Sequence, residues 1–251
     1  MLPIVILAGG LATRLRPITE TIPKSLVDVA GEPFVCRQLR YLKSQGISKV
    51  VMCTGYLGSM LEERVGTGKE FGLEVHYIAD GAKLLGTGGA IKQAQAVYSA
   101  ELGDSFFVLY GDSYLPIQMS RVQKIFQKSI DKNNQESQSL ALMTVMKNQN
   151  QWDKSNVQFE DGRIVQYNKR SPNPKMSHID YGLSILTPSS LDGYPLNEAF
   201  DLADLFHDLS VKGKLLGCEV QERFYEIGSH KGLEEAISYF MSIQKIWIQQ
   251  N

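Results

Sequence analysis

Residues 3–26 read PIVILAGGLATRLRPITETIPKSL. The apolar run Ile4 to Leu7 suits a short buried strand, and the pair Gly9-Gly10 ends it. A glycine turn at that point lets backbone N–H groups come close to an anion, because no Cβ stands in the way. The stretch nevertheless fits neither common phosphate loop. It lacks the G-x-x-x-x-G-K-[ST] of the P-loop and the G-x-G-x-x-G of a dinucleotide site. Basic residues follow the turn: Arg14, a planar donor fork suited to phosphate, Arg16, and Lys24 beside Pro23. Taken alone, a Gly-Gly pair is equally well an ordinary turn flanked by surface charge.

Working outward, the first half alternates strand and helix. PIVIL (3–7), KVVMCT (49–54), LEVHYIA (73–79) and SFFVLY (105–110) read as buried strands. PFVCRQLRYLKSQG (33–46), GSMLEERVG (58–66) and GGAIKQAQAVYSA (88–100) read as helices between them. In the first helix Phe34, Leu39 and Leu42 fall at helical spacing, with Pro33 before it and Gly46 after it. Continuous apolar strands separated by helices predict an α/β fold with a mainly parallel sheet covered on both faces. Ligands of such sheets sit beyond the carboxyl ends of the strands, which puts loops 8–16, 80–88 and 111–114 on one rim.

After residue 131 the pattern changes. DKNNQESQS (131–139) reads as loop. LALMTVM (140–146), HIDYGLSIL (178–186), KLLGCEV (214–220) and RFYEIG (223–228) read as strands. VQFED and RIVQYN form a hairpin on Asp161-Gly162. FDLADLFHDLSVKG (200–213) is an amphipathic helix, and a closing helix runs from about His230 to Gln249. The second half reads as a continuation that caps one side of the sheet, within a single domain spanning 1–251.

Composition narrows the function classes. The 251 residues carry 26 basic and 27 acidic side chains, a formal net charge of −1. A general nucleic-acid binder shows a basic excess, so anion binding here has to be built locally. Three widely spaced cysteines, Cys36, Cys53 and Cys218, read as buried reduced thiols rather than a disulfide or zinc framework. No run approaches the ~18 apolar residues of a membrane span, and the start lacks a basic leader. The expectation is a cytoplasmic protein with no membrane and no nucleic-acid partner. Nothing in the sequence speaks to oligomeric state.

The opening stretch resembles the signature of the nucleotidylyltransferases that join a sugar 1-phosphate to a nucleoside monophosphate. That signature reads L-A-G-G-x-G-T-R-L-x-P-L-T, then x-x-x-P-K-x-L, then G-x-P. The chain matches it at Leu7, Ala8, Gly9, Gly10, Thr13, Arg14, Leu15, Pro17, Thr19, Pro23, Lys24, Leu26, Gly31 and Pro33, and departs at Ala12, where glycine is usual. The resemblance implies the Rossmann-like three-layer α/β/α architecture of nucleotide-diphospho-sugar transferases. It implies an NTP (GTP, UTP or CTP) and a sugar 1-phosphate as substrates, with Mg²⁺ as cofactor. Residues 1–131 would be the nucleotide-binding half and 132–251 the sugar-binding half.

Site roles follow from the same resemblance. Arg14, Lys24 and Asp112 would be catalytic. Leu7, Ala8, Gly9, Gly10, Thr13, Arg14 and Lys24, with Gly86, Thr87 and Gly88 of LLGTGGAIKQA (84–94), would bind the nucleotide. That second segment looks like the heptose 1-phosphate branch that uses GTP and the related muramic-acid 1-phosphate branch that uses UTP. Asp112, directly after a buried strand in VLYGDSY, would be a metal ligand, and Glu226 of FYEIG would be the second, in place of the usual aspartate. Gly111, Asn168, Lys169, Tyr181 and Gly182 would meet the sugar phosphate, Asn168 standing where an acid is usual. Three other classes fit less well. A cytidylyltransferase for a non-sugar phosphate such as phosphocholine shares the opening motif but not LLGTGGAI. A glycosyltransferase wants a D-x-D where Asp112-Ser113-Tyr114 stands. A nucleotide sensor without catalysis would be expected to lose Arg14, Lys24 and Asp112.

Overall fold

The computed structural model describes residues 1–10, 13–81, 84–130, 139–148, 150–152 and 154–250, the last six of these as backbone only. Ala12 and the polar stretch 131–138 lie outside the described residues. The strands are β1 (Ile4–Leu7), β2 (Lys49–Thr54), β3 (Glu74–Ala79), β4 (Phe106–Tyr110), β5 (Ser113–Tyr114), β6 (Ala141–Lys147), β7 (Val157–Glu160), β8 (Arg163–Tyr167), β9 (His178–Leu186), β10 (Leu215–Val220) and β11 (Tyr225–Glu226). The helices are α1 (Phe34–Ser44), α2 (Gly58–Val65), α3 (Gly86–Val97), α4 (Ser99–Leu102), α5 (Met119–Ile130), α6 (Leu202–Val211) and α7 (His230–Gln250). Sequence reading assigned nothing to α5. Its Met119, Val122 and Phe126 are buried at helical spacing, the signal that would have found it.

Nine strands form one sheet in the order β3-β2-β1-β4-β9-β6-β10-β8-β7, and β5 pairs with β11 in a small second sheet. The first four strands are parallel. From β9 onward the sheet is mixed: β9 runs antiparallel to β4 and β6, β10 is parallel to β6, and β8 and β7 are antiparallel again. The expectation of a mainly parallel sheet therefore holds for the first half only. The reason lies in the connections. Asp161 (φ 47°) and Gly162 (φ 77°) make the two-residue hairpin between β7 and β8, and a link that short can only join antiparallel strands.

Strand alternation feeds two cores. Ile4 and Ile6 pack with Val35, Leu39, Leu61 and Phe126 under α1, α2 and α5, whereas Val5 packs with Ile91, Ala94, Leu205 and Phe206 under α3 and α6. The result is three layers. A third core joins distant parts of the chain: Leu15 from the opening loop, Val27, Val29, Phe34, Ile227, and Leu233, Ala236 and Phe240 of α7. Leu15 and Ile227 are fully buried there. Burying a side chain of this size contributes roughly 1.5–3 kcal/mol, so this contact fixes the loop that carries Arg14 against the strand that carries Glu226. The three cysteines are free and buried. No described helix is long and apolar enough to cross a membrane.

Candidate active site

The carboxyl ends of β1 to β4 make one rim, stitched by backbone hydrogen bonds. Ala8 N donates to Cys53 O (2.9 Å), Asp80 N to Thr54 O (3.1 Å) and Gly111 N to Leu7 O (2.9 Å). A cavity of about 380 Å³ opens on that rim. Leu7, Ala8, Gly9, Gly10, Lys24, Gly86, Thr87, Gly111 and Asp112, all singled out from the sequence, line it. Ser25, Cys53, Asp80, Leu84, Ala90 and Tyr110 line it too and were not singled out. Glycine is required where β1 and β4 meet: a Cβ on Gly111 would lie 2.9 Å from Leu7 O and 3.2 Å from the Ala8 Cα.

Lys24 reaches the cavity because of its turn. Pro23 presets an extended entry (φ −65°, ψ 146°), and a 3-10 turn over Lys24–Leu26 closes with Leu26 N on Pro23 O at 2.9 Å. The Ser25 hydroxyl ties the turn to Gly111 O at 3.4 Å. Lys24 Nζ then stands 2.6 Å from Asp112 Oδ2, both side chains about 20% exposed. Asp112 is delivered by β4 and held by the small sheet. Ser113 pairs with Glu226, and Ile227 N donates to Asp112 O at 2.9 Å.

That pairing brings the two carboxylates sequence reading assigned to metal into one place. Glu226 is one methylene longer than aspartate and folds back on the start of α7. Its Oε1 accepts from Ser229 Oγ at 2.7 Å and its Oε2 from Gly228 N. A Cβ on Gly228 would sit 2.6 Å from Glu226 Oε2, 3.0 Å from Arg14 Nη2 and 3.1 Å from Asp112 Oδ2. Two carboxylates and a guanidinium thus converge on a space that exists because residue 228 has no side chain. Thr13 and Arg14 are exposed and stand outside the cavity wall; Arg14 joins the cluster from the Gly228 side.

Other assignments change. Gly88 does not line the cavity. It is buried under Phe200: its N–H donates to Phe200 O (3.0 Å), and a Cβ would lie 2.2 Å from the Phe200 ring. Thr87 also serves the protein, donating to Asp201 Oδ1 (2.9 Å) and accepting from Leu202 N (2.8 Å) at the start of α6. The glycines of LLGTGGAI allow this close approach of α3 to residues 198–202 as well as forming the cavity wall.

Tyr181 faces away from the rim. Its ring lies in the α1/α5 core against Phe224, and its buried hydroxyl has no partner among the described residues. Side chains alternate along a strand, so Asp180 occupies the other face with Tyr110. Burial raises the Asp180 carboxyl from 3.8 to about 6, against the opposing pull of the Gly182 N–H (2.9 Å) and the Lys169 charge. Gly182 is at φ 106°, 3.6 Å from Tyr110 measured from where its Cβ would be. The Asn168 side-chain oxygen is spent locally, accepting from Arg170 N (3.1 Å) and Ser171 N (2.8 Å), which leaves Lys169 exposed beside Asp180.

Known proteins resemble this chain over most of its length. The family model described as Nucleotidyl transferase matches residues 4–238. D-glycero-alpha-D-manno-heptose 1-phosphate guanylyltransferase of Campylobacter jejuni is 28% identical over 225 residues, 89% of this chain and 93% of that protein. Mannose-1-phosphate guanylyltransferase catalytic subunit beta of Xenopus tropicalis is 26% identical over 243 residues, 96% of this chain but 65% of that protein, so this chain spans less than two thirds of its length. HddC from Yersinia pseudotuberculosis complexed with GMP-PN superposes with a TM-score of 0.74 at 25% identity, covering 96% of this chain and all of that one.

Proposed function

This chain belongs to the nucleotidyl transferase family, and we propose that it transfers a nucleoside monophosphate from GTP, UTP or CTP to a sugar 1-phosphate. The products are an NDP-sugar and pyrophosphate, for cell-surface glycan synthesis, and the sugar is a heptose or an N-acetylated hexose. The observation that carries the reading is the convergence of Arg14, Asp112 and Glu226 on the open side of Gly228, next to Lys24 in a glycine-walled cavity. A sugar-phosphate oxygen attacks the α-phosphorus in line. The new P–O bond forms as the bond to the β-phosphate oxygen breaks, and that electron pair leaves with pyrophosphate. The attacking oxygen is already ionised at neutral pH, so no general base is needed and the protein's work is positioning and charge neutralisation.

Each side chain has a task. The turn at Gly9-Gly10 and Arg14 bind the departing pyrophosphate. Lys24 exchanges its partner Asp112 for the α-phosphate when substrates enter. Lys169 aligns the sugar phosphate, and Asp180 next to it faces the sugar. Two carboxylates are the donor type a hard dication takes, and in the structure Arg14 and Lys24 stand beside them. Asp112 and Glu226 would hold Mg²⁺, which when bound neutralises charge on the phosphate oxygens. In the same reading residues 1–131 serve the nucleotide and 132–251 the sugar within one domain, and the free buried thiols suit a reducing cytoplasm. The test is product detection by mass spectrometry after incubation with Mg²⁺, each NTP and a panel of 1-phosphates that includes phosphocholine. An NDP-sugar is the expected product. A CDP-alcohol alone, or no product, would refute the reading.

A further inference from the structure

The turn from β11 into α7 holds Glu226 at both carboxylate oxygens. Oε2 accepts from Gly228 N, and Oε1 accepts from Ser229 Oγ at 2.7 Å. The same Ser229 Oγ accepts from Gly232 N at 3.0 Å, and Ser229 O accepts from Leu233 N at 2.9 Å. Ser229 therefore caps α7 with its lone pairs while its proton goes to the carboxylate. The third residue of a capped helix commonly is a glutamate that folds back over the cap. In α7 that residue is Gly232, and the carboxylate in the vacated space belongs to Glu226. A Cβ on Gly232 would lie 2.6 Å from the Glu226 Cδ, closer still to Oε1, and 2.6 Å from the Glu226 backbone oxygen. Glycine inside a helix weakens it relative to alanine, and here it makes room for both the strand end and the long acid.

We propose that Ser229 is a positioning residue for the metal-binding acid. Its hydroxyl draws one oxygen of Glu226 into the Gly232 gap and so presents the other beside Asp112, which lets a glutamate serve where aspartate is usual. This rests on the nucleotidyl-transfer reading, in which Asp112 and Glu226 take Mg²⁺. With Oε1 tied to Ser229, Oε2 stays on the Gly228 side, where a Cβ would lie 2.6 Å from it and 3.1 Å from Asp112 Oδ2. An aspartate at 226 would stop one methylene short of the Ser229 hydroxyl. A glutamate without that hydroxyl would have several staggered rotamers open to it. A hydroxyl donating to a carboxylate is a charge-assisted bond, short and directional. Groups that orient a metal ligand in this way typically set metal affinity by about 10–100-fold.

The test is calorimetry of nucleotide binding in Mg²⁺ and in EDTA, without sugar phosphate so that nothing turns over. The nucleotide is whichever of GTP, UTP and CTP wild type binds, and the ratio of the two affinities reads the metal. Wild type should bind more tightly in Mg²⁺. S229G keeps the helix start, because glycine is nearly as good a cap, but lacks the hydroxyl. Its gain from Mg²⁺ should shrink about 10-fold, with affinity in EDTA within about threefold of wild type and the urea midpoint close to it. S229T retains the hydroxyl and should retain the gain. In E226D, whose shorter acid does not reach Ser229, adding S229G should change the gain by less than about twofold. An undiminished gain in folded S229G, a loss in S229T equal to that in S229G, or an equal loss from S229G in the E226D background would each overturn the assignment and leave nucleotidyl transfer standing. A wild type that binds no nucleoside triphosphate would overturn both.

Discussion

The four parallel strands and the five strands beyond them meet the rim differently. At β1 to β4 the cavity wall is mostly backbone: glycines at 9, 10, 86 and 111 bring main chain close to whatever lies inside, and two aspartates punctuate the strand ends. Beyond that wall the candidate groups are side chains, and none of them lines the cavity. Asp180 and Lys169 arrive from an antiparallel strand and a hairpin end, while Glu226 arrives from a two-residue strand stapled to Ser113. The backbone-lined side suits the part that every nucleotide shares. The side-chain side suits a substrate that differs between enzymes of one family.

Substitutions can sharpen that contrast. The largest effect is expected at the junction. Gly228→Ala puts a methyl group among Glu226, Arg14 and Asp112, so kcat should fall by about 10²–10³-fold while the melting temperature stays near wild type. Gly88→Ala should do the reverse. Its Cβ collides with the Phe200 ring, and urea unfolding should register a loss of about 1–3 kcal/mol, with residual activity tracking the folded fraction.

Asp180 is next. Its folded carboxyl takes up a proton at about 6 rather than 3.8. Between those values the native state binds more protons than the unfolded chain, so stability falls as pH rises through the window. Asp180→Asn should flatten that fall and gain about 1–3 kcal/mol at pH 7, at the expense of sugar-phosphate affinity. The smallest effect belongs to Lys169→Ala. It should raise KM for the sugar 1-phosphate about 10-fold and leave KM for the nucleotide unchanged, about 1.4 kcal/mol confined to one substrate. An equal rise in both would erase the division between the two sides.

The same division decides what the sequence made legible. β1, β2 and β4 and their rim could be read because each strand is largely an apolar run followed within two residues by glycine, a local pattern. The order of the later strands could not, since β9 enters between β4 and β6 through pairings that no local pattern encodes. Tyr181 was named from the resemblance of its strand to the family pattern, and a one-residue change of phase moves a strand side chain to the other face. Gly88 looked like part of a ligand loop, and its closeness to Phe200 spans more than 100 residues of chain. Asp80 was legible by the rule that found Asp112, an acid following a strand on the ligand rim. Its neighbours Gly81 to Lys83 carry no matching motif, and it passed unremarked.

The central claim is that Lys24 and Asp112, held 2.6 Å apart at the end of β4, do the charge work of phosphoryl transfer. Pyrophosphate release, measured with NTP, sugar 1-phosphate and Mg²⁺ present, tests it most directly. Wild type should release pyrophosphate only when both substrates are supplied, and Lys24→Ala and Asp112→Ala should each lose most of that turnover with their melting transitions intact. Near-normal release from either folded variant would contradict the account.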